Sequence, residues 1–492
     1  MEYIVDGDSM KRLDSFTMNE IGVPSMVLME QAAMAVTSVL LGKISKKDSI
    51  IVLVGPGNNG ADGVAVARLL ALRGYAVDVY IIGDQSRFTG QLKEQLSIAQ
   101  KIGVKCINNA KMSEYNVVVD AIFGIGLSKP IRGEAEAVIR SVNDGDFLVV
   151  SVDIPSGICS RSGKVLGTAI KADITVTFGY KKIGMLLYPG CEYTGELITA
   201  DIGFPSLRFA EITPTGVIYQ KEDLAKLPKR INWSNKGTYG KVLVIAGSKN
   251  MSGACYLSAK AAYRMGAGLV KVLTAEENRV ILQTMLPEAI ISTYDASTIE
   301  KEIAWATTVV FGPGIGVTDT GRELLQAVLT YSKVPTVIDA DGLNLLAERG
   351  SLDTMELPDN LILTPHLMEM GRICHTTVEQ VKEHLVEIAK ETTKHTGYVL
   401  VLKDARTVVT SKNQLYLNTS GNNGMSTGGS GDVLSGIIAG LLASGMSNYE
   451  AACLGVYIHG LAGDMAKQEV GEYSLMATNL IECISKILCV IK

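Results

Sequence analysis

The stretch Asn422-Asn423-Gly424-Met425-Ser426-Thr427-Gly428-Gly429-Ser430-Gly431-Asp432 sets four glycines and a run of amide and hydroxyl side chains before an apolar segment, Val433 to Ala443. In that segment Val433, Leu434, Ile437, Ile438, Leu441 and Leu442 recur at helical spacing, which predicts a helix whose N-terminus lies at 428–431. Free backbone N–H groups and the positive end of the helix dipole converge at such a start and favour an anion such as phosphate. Asp432 stands beside that site, where its charge opposes a bound phosphate. Its presence is explained if it serves as a base or anchor for a substrate hydroxyl next to a nucleotide phosphate. A glycine-rich turn can be no more than a tight loop with a cap. The glycines, the Asp and the long apolar helix occurring together favour chemistry.

Around this stretch runs a series of short β-rich segments: Lys241–Ala246, Leu269–Leu273, Val309–Phe311, Thr336–Ile338, Leu361–Leu363, Tyr398–Leu402 and Thr407–Thr410. Several end in small or functional residues. Asn235 to Ser248 reads as a loop entering the first strand, and Ser252-Gly253-Ala254 opens a helix. Phe311-Gly312-Pro313-Gly314-Ile315-Gly316 allows a ligand close to the backbone. Val337-Ile338-Asp339-Ala340-Asp341-Gly342 and Leu363-Thr364-Pro365-His366 end two more strands, and Lys403 is placed to neutralise a phosphate. The Walker pattern G-x-x-x-x-G-K-[ST] is absent, so a nucleotide site here is of another kind.

The first half has its own series, Ser49–Val54, Val77–Ile82, Val117–Ala121, Phe147–Val152 and Ile174–Phe178. Several of these are apolar at successive positions, as buried parallel strands are. A helix is expected over Asp62–Arg73, closed by Gly74. Such βαβ alternation predicts a doubly wound, Rossmann-like α/β sheet. Between the two series, Pro205 to Asn235 carries Pro214, Pro228 and the charged patch Lys221-Glu222-Asp223, and the domain boundary is placed near residue 215.

The 492 residues suffice for two or three domains. With 47% hydrophobic and 20% charged residues and a net charge of −5, the chain is a globular protein without the basic footprint of a nucleic-acid binder. The acidic N-terminus lacks a signal core, and no uninterrupted apolar span of ~18 residues is present, so no membrane role is expected. Eight scattered cysteines without a C-x-x-C pair suggest reduced thiols in a cytoplasmic protein, and the five histidines form no ligand cluster.

In the first half, Gly55-Pro56-Gly57-Asn58-Asn59-Gly60-Ala61-Asp62-Gly63 follows a strand but is not G-x-G-x-x-G. Its amides suit a nicotinamide or ribose edge, or a cation. Val117-Val118-Val119-Asp120 precedes Gly124-Ile125-Gly126-Leu127-Ser128-Lys129-Pro130, and Val152-Asp153 precedes Ile154-Pro155-Ser156-Gly157. Each sets an Asp at a strand's carboxyl end, the edge where open α/β sheets bind ligands. A single such Asp is often just a cap; two beside the asparagine loop argue for a convergent site.

These motifs, with Thr177-Phe178-Gly179, resemble the NAD(P)H-hydrate epimerase domain over roughly residues 1–210. The resemblance implies interconversion of the R and S epimers of hydrated NADH or NADPH at C6 of the nicotinamide ring. It implies that Asn58, Asn59, Gly60, Ala61, Asp62, Gly124, Ile125, Gly126, Leu127, Ser128, Lys129 and Pro130 line the hydrate site. Asn59, Asp120 and Ser156 would hold a potassium ion (K+), and Asp153 would be the acid–base residue. Lys182 falls where the family has a lysine before a glycine, though the prolines usual around it are replaced. Opening and reclosing a carbinolamine-like carbon requires proton transfer, which a positioned carboxylate assists.

The second half, about 219–492, resembles the NAD(P)H-hydrate dehydratase branch of the ribokinase-like fold through Thr364-Pro365-His366, Asn422-x-Gly424-Met425 and Thr427-Gly428-Gly429-x-Gly431-Asp432. This implies dehydration of the S hydrate coupled to a nucleotide, ADP in the fused enzymes; Mg2+ is expected from the phosphoryl chemistry rather than from a ligand cluster in the sequence. Gly314, Gly316, His366, Leu367, Met368, Glu369, Met370, Gly371, Arg372 and Asp432 would then meet the hydrate. Lys403, Asp404, Ala405, Arg406 and Thr407 would hold ADP, with Asn422, Asn423, Gly424, Met425, Ser426, Thr427, Gly428, Gly429, Ser430 and Gly431. Asp432 is the implied base for phosphorylation of the C6 hydroxyl, which turns a poor leaving group into phosphate. Three positions depart from the pattern: Leu367-Met368 replace Pro-Gly, Asp404 replaces a glycine, and Ser430 replaces a threonine.

The expected partners are hydrated NADH and NADPH (NADHX and NADPHX) and ADP, with no nucleic acid and no membrane, in a homo-oligomer. Two competitors remain at this point. One is a ribokinase-like kinase of a vitamin or sugar. The other makes the first half a silent binding or scaffold module.

Overall fold

The computed structural model describes residues 1–352 and 354–489. It divides into two compact units, Tyr3–Gly216 and Val217–Lys492, the second also taking in Met1–Glu2.

In the first unit, seven parallel strands lie in the spatial order Lys105–Ile107, Ala76–Ile81, Ser49–Val54, Val117–Ala121, Leu148–Val152, Ile174–Phe178 and Glu196–Ala200. Ile50, Val52 and Val54 face one apolar cluster with the helices Ser25–Leu41, Asn58–Leu72 and Gly90–Lys101. Ile51 and Leu53 face the other, with the helix Glu134–Asn143. Side chains alternate across a strand, so a strand covered on both faces must be apolar throughout. Each such side chain contributes about 1.5–3 kcal/mol on burial.

The two outermost strands, Lys105–Ile107 and Glu196–Ala200, carry no fully buried residue. Edge strands need no apolar run, so neither announces itself in the sequence. Ile4 and Val5 pair in parallel with Lys181 and Lys182, which fixes the backbone from which Lys182 projects.

The expected loop at Asn58–Asp62 is instead the first turn of the helix Asn58–Leu72. A Cβ at Gly60 would fall 2.1 Å from the Gly55 carbonyl oxygen, and one at Gly63 2.4 Å from the Ala121 Cβ. These glycines therefore allow a helix to press against the sheet; they do not form a turn.

In the second unit the strands run Ile290–Thr293, Leu269–Thr274, Lys241–Ile245, Thr308–Phe311, Thr336–Ile338, Leu361–Leu363 and Val399–Leu402 in parallel. Val408–Ser411 and Gln414–Leu417 follow antiparallel, and Val217 pairs with Tyr416. One face is covered by the helices Ser252–Arg264, Ser430–Ala443, Asn448–Val470 and Ala477–Cys489. The glycine-rich helix starts at Ser430, so Asp432 is its third residue. A Cβ at Gly436 would lie 2.2 Å from the Ser258 carbonyl oxygen, so this interior glycine permits close helix packing. Among the described residues no helix is long and apolar enough to cross a membrane.

Candidate active sites

In the first unit the strand order reverses between Ser49–Val54 and Val117–Ala121. Open α/β sheets bind ligands at the carboxyl ends of strands at such a switch point. A cavity of about 950 Å³ lies there, lined by Asn58, Asn59, Asp62, the loop 124–130, Asp153 and Lys182. Leu28, Met29, Phe178 and Phe204 supply apolar wall. Gly60 and Ala61, expected to touch the hydrate, do not line it; both are buried where the helix meets the sheet.

Asp153 follows the strand Leu148–Val152 in a left-handed conformation, φ 66°. Non-glycine residues in that region carry backbone strain, which persists where surrounding structure imposes it. The Asp153 amide is held by the Val176 carbonyl at 2.8 Å. The Lys182 ammonium is 1% exposed and donates to Asp153 Oδ1 at 2.5 Å, Thr177 Oγ1 at 2.8 Å and the Phe178 carbonyl at 3.1 Å. Its three protons are therefore accounted for, and the buried charge is paired.

Asp120 is fully buried. Its Oδ1 accepts from the Ser156 hydroxyl at 2.5 Å, and its Oδ2 accepts from the Ser156 amide and the Ser151 hydroxyl, both at 2.8 Å. Burial nevertheless raises the Asp120 carboxyl above its usual range, outweighing those hydrogen bonds. Asn59 lies against Gly124, and its buried amide nitrogen has no partner. The three proposed cation ligands thus sit on three elements: Asp120 and Ser156 bond directly, while the unpartnered atom of Asn59 is its Nδ2, a donor that does not ligate a cation. Among the described residues no group of three His, Cys, Asp or Glu could hold a metal.

In the second unit the switch point falls between Lys241–Ile245 and Thr308–Phe311. The loops that follow are tied together, the Gly247 and Ser248 amides donating to the Pro313 and Gly314 carbonyls at 2.9 and 2.6 Å. Gly314 and Gly316 have φ of 59° and 78°, and the Gly316 amide donates to Asp341 Oδ2 at 2.9 Å.

Asp339 organises this edge. It accepts from Lys403 Nζ at 2.8 Å and from the Ser435 hydroxyl at 2.5 Å. Burial alone would raise its carboxyl, but Lys403 beside it holds it below the usual range. Burial likewise opposes the Lys403 charge, and Asp339 and Glu369 more than offset that. A Cβ at Gly431 would stand 3.3 Å from Lys403 Nζ, so the ammonium reaches the first turn of the glycine-rich helix. Asp432 is pushed up to about 7, first by burial and then by Asp339.

Gly429 precedes this helix with φ 86°, while a Cβ at Gly428 would meet nothing within 4 Å. Ser430 lies 3.3 Å from His459 Nε2, and burial lowers that histidine to about 4, so its imidazole is neutral. Asn422 donates to Asp464 Oδ1 at 3.0 Å and accepts from the Gly424 amide at 3.0 Å, fixing the turn Asn423–Met425.

The departure at Leu367-Met368 opens a helix, Leu367–Ile373, capped by His366. His366 Nδ1 accepts from the Met368 and Glu369 amides at 3.1 and 3.3 Å, and Glu369 returns a bond to the His366 amide at 2.8 Å. Its Nδ1 is therefore occupied, and its Nε2 lies 3.4 Å from Glu369 Oε1. Burial raises Glu369 to about 7. Met370 is fully buried and offers no surface to a hydrate, and Arg372 donates to Asn344 at 2.8 Å. Arg406 donates to the Thr419 carbonyl at 3.0 Å, and Thr407 closes the Lys403–Thr407 loop on the Asp404 carbonyl at 3.2 Å.

Reasoning from sequence passed over Asp14, Asp339, Ser435, His459 and Asp464 as site residues. Asp339 alone left a signal, an Asp at a strand end. The others sit on helices, where a polar residue reads as a surface position.

Residues 242–486 match the family model described as NAD(P)H-hydrate dehydratase, and residues 25–184 that described as YjeF-related protein N-terminus. Over 97% of this chain and 94% of the relative, the sequence is 36% identical to the bifunctional NAD(P)H-hydrate repair enzyme of Thermofilum pendens. It is 38% identical to that of Coxiella burnetii over 94% of each chain. A crystal structure of the ADP/ATP-dependent NAD(P)H-hydrate dehydratase from Bacillus subtilis, co-crystallised with ATP/Mg2+, matches 56% of this chain and 98% of its own. Its TM-score is 0.51 at 28% identity. A ribokinase-like superfamily protein from Enterococcus faecalis matches 55% of this chain and 95% of its own, with TM-score 0.52 at 29% identity. The first unit is thus Rossmann-like, the second ribokinase-like, and the chain belongs to the family of bifunctional NAD(P)H-hydrate repair enzymes.

Proposed function

We propose that the first unit interconverts the R and S epimers of NADHX and NADPHX, and that the second dehydrates the S epimer to NADH or NADPH. The second reaction consumes ADP and releases AMP and phosphate. The observation that carries this reading is the likeness to bifunctional repair enzymes through both units, over 97% of the chain.

In the first unit Asp153, held by Lys182, is the acid–base residue, and the loop 124–130 covers the hydrate. A potassium ion asks for amide, hydroxyl and carboxylate oxygens, the donor types that Asn59, Ser156 and Asp120 would offer through their side-chain oxygens. Bound there, K+ would supply positive charge at the base of the cavity.

In the second unit Asp432 takes the proton of the C6 hydroxyl as the phosphoryl group arrives, and phosphate then leaves in place of hydroxide. A base near 7 is matched to neutral pH. The helix start at Gly429–Gly431 and Lys403 favour the charge on the transferred group. The loops Lys403–Thr407 and Asn422–Gly428 hold the nucleotide. Gly314, Gly316, His366 and the exposed face of Leu367–Arg372 meet the hydrate. Mg2+, carried on the nucleotide's phosphates, would neutralise charge during transfer. None of the eight cysteines is in a disulfide, which suits a cytoplasmic setting.

The test supplies a mixture of NADHX epimers with ADP, ATP or no nucleotide and follows the return of reduced-nicotinamide absorbance. Full recovery with ADP supports both activities. No recovery with either nucleotide overturns the dehydration, and rapid recovery of the S fraction alone overturns the epimerisation.

A further inference from the structure

The helix Asn448–Val470 carries His459, Gly460, Gly463 and Asp464, two adjacent pairs four residues apart, which a helix presents on one face. All four meet the segment 420–430. Asp464 Oδ2 accepts from the Gly421 amide at 2.9 Å, and its Oδ1 accepts from the Asn422 side-chain amide at 3.0 Å. At the other end of the segment, Ser430 Oγ stands 3.3 Å from His459 Nε2. Between these ends the helix face is bare. A Cβ at Gly460 would fall 2.1 Å from Ser420 Oγ, and one at Gly463 2.1 Å from Met425 Sδ. Ser420 Oγ also donates to the Tyr457 carbonyl of the same helix at 3.2 Å. The segment thus rests on helix backbone at its middle and is met by polar side chains at both ends.

A carboxylate under a loop read as the seat of nucleotide phosphates is electrostatically adverse, since like charges repel. The hydrogen bonds supply the reason for it. Each Asp464 oxygen faces a different N–H donor, and only a carboxylate accepts at both positions while donating at neither. An asparagine there, whichever way it is turned, would aim its own NH2 at the Gly421 amide or at the Asn422 amide. One bond would be lost and two donors would meet. Hydrogen bonds to an ionised acceptor are also stronger than neutral ones. The hold on Asn422 is passed on, because Asn422 Oδ1 accepts from the Gly424 amide at 3.0 Å and closes the turn Asn423–Met425.

We propose that Asp464 is a positioning residue for the nucleotide: acting through Gly421 and Asn422, it sets the loop Asn422–Gly431 in its binding conformation before the nucleotide arrives. This rests on reading that loop as the nucleotide site. A segment rich in glycine has much conformational freedom to lose. If it loses that freedom only when the nucleotide binds, the loss comes out of the affinity; if it is ordered on folding, the affinity is kept. Lys403 is held separately, by Asp339, so the setting of Asp432 does not depend on Asp464. The effect of Asp464 therefore falls on nucleotide affinity and not on the chemical step.

The test uses the full-length chain. ADP binding is measured by calorimetry without hydrate, and dehydration of pure S epimer is measured at varied ADP and at varied hydrate. Asp464→Asn, equal in size, should raise both Kd and KM for ADP about 10-fold or more. Its KM for the hydrate should stay unchanged, with kcat at saturating ADP within about twofold of wild type. Loss of folded protein would instead lower kcat and leave both KM values in place. Asn422→Ala breaks the same connection from the loop side and should also weaken ADP. The double variant should fall well short of the product of the two single losses, as residues acting through one contact do.

The proposal is overturned if Asp464→Asn binds ADP as wild type does, if its defect lies in kcat or in the hydrate KM alone, or if the two losses multiply in the double variant. Where Asp464→Asn does not fold, Asn422→Ala decides, and wild-type ADP affinity in that variant overturns the proposal. If the wild-type chain binds neither ADP nor ATP, the reading of the loop as a nucleotide site fails, and this inference with it.

Discussion

Asp432 shows how much one residue owes to its surroundings. An Asp in the first helical turn is ordinarily stabilised as an anion by the helix dipole. Here burial and Asp339 outweigh that and raise it to about 7. As a base it works only when ionised, so dehydration should decline as pH falls through about 7, read as kcat/KM against pH. Asp432→Asn should cut dehydration about 10²–10⁴-fold. Its folding should show the opposite trend. Because the native carboxyl titrates above its unfolded value, the native state holds an extra proton between the two, and stability is lost as pH rises through that interval. Asp432→Asn escapes this loss, so its Tm should equal or exceed that of wild type at pH 8 and match it at pH 4.

The two adjacent glycines divide the work of the loop. Gly429 needs its positive φ, and a Cβ there would lie 2.4 Å from Leu257 Cδ1. Gly429→Ala should therefore destabilise by about 1–3 kcal/mol and raise the nucleotide KM. Gly428→Ala, facing open space, should leave the Tm within a degree or two of wild type. Equal effects of the two in thermal unfolding would show that the backbone argument is misplaced.

At the scale of elements, the glycines and the caps carry information that a hydrophobic pattern does not. Gly436 sits inside a helix because the Ser258 carbonyl passes where its side chain would be. Gly436→Val should cost about 1–3 kcal/mol by overpacking, visible as a lower denaturation midpoint with an unchanged m-value. His366 has two roles to separate, the helix cap it makes through Nδ1 and the hydrate contact proposed for it. Asparagine is a good N-cap without an imidazole. His366→Asn should keep the Tm while slowing dehydration; a variant as active as wild type would assign His366 to capping alone. The same elements show which parts of the fold were legible. Ser49–Val54 and Val117–Ala121 could be read with the bounds they have, because both faces are buried. Glu196–Ala200 and Ile290–Thr293 could not, because each lies at a sheet edge with no fully buried residue. The helix start at Asn58 reads as a loop in the sequence because asparagine and glycine favour turns unless a sheet is packed against them.

At the scale of the whole molecule, two chemistries on one chain predict a separable pattern of failure. With a mixture of hydrate epimers and ADP, Asp153→Asn should recover the S fraction rapidly and the rest only at the spontaneous rate. Asp432→Asn should recover almost nothing, yet still bring a pure S sample to its epimer equilibrium. Chromatography of the epimers distinguishes the two defects, and loss of both activities in either variant would argue against separate sites.

What the sequence by itself determined is local: two α/β units, the strands buried on both faces, the glycine-rich helix start, and the Asp residues at strand ends. These follow from periodicity and from conformations open chiefly to glycine, both of which operate over a few neighbouring residues. Only the tertiary structure decided which charges meet. Lys182 closes on Asp153 across 29 residues, and Lys403 on Asp339 across 64. Asp14 comes to the same cavity from a helix whose sequence marks it as an ordinary surface position. The physical reason is that the proton affinity of a carboxyl is set by burial and by neighbours in space, and neither is written in the residues beside it.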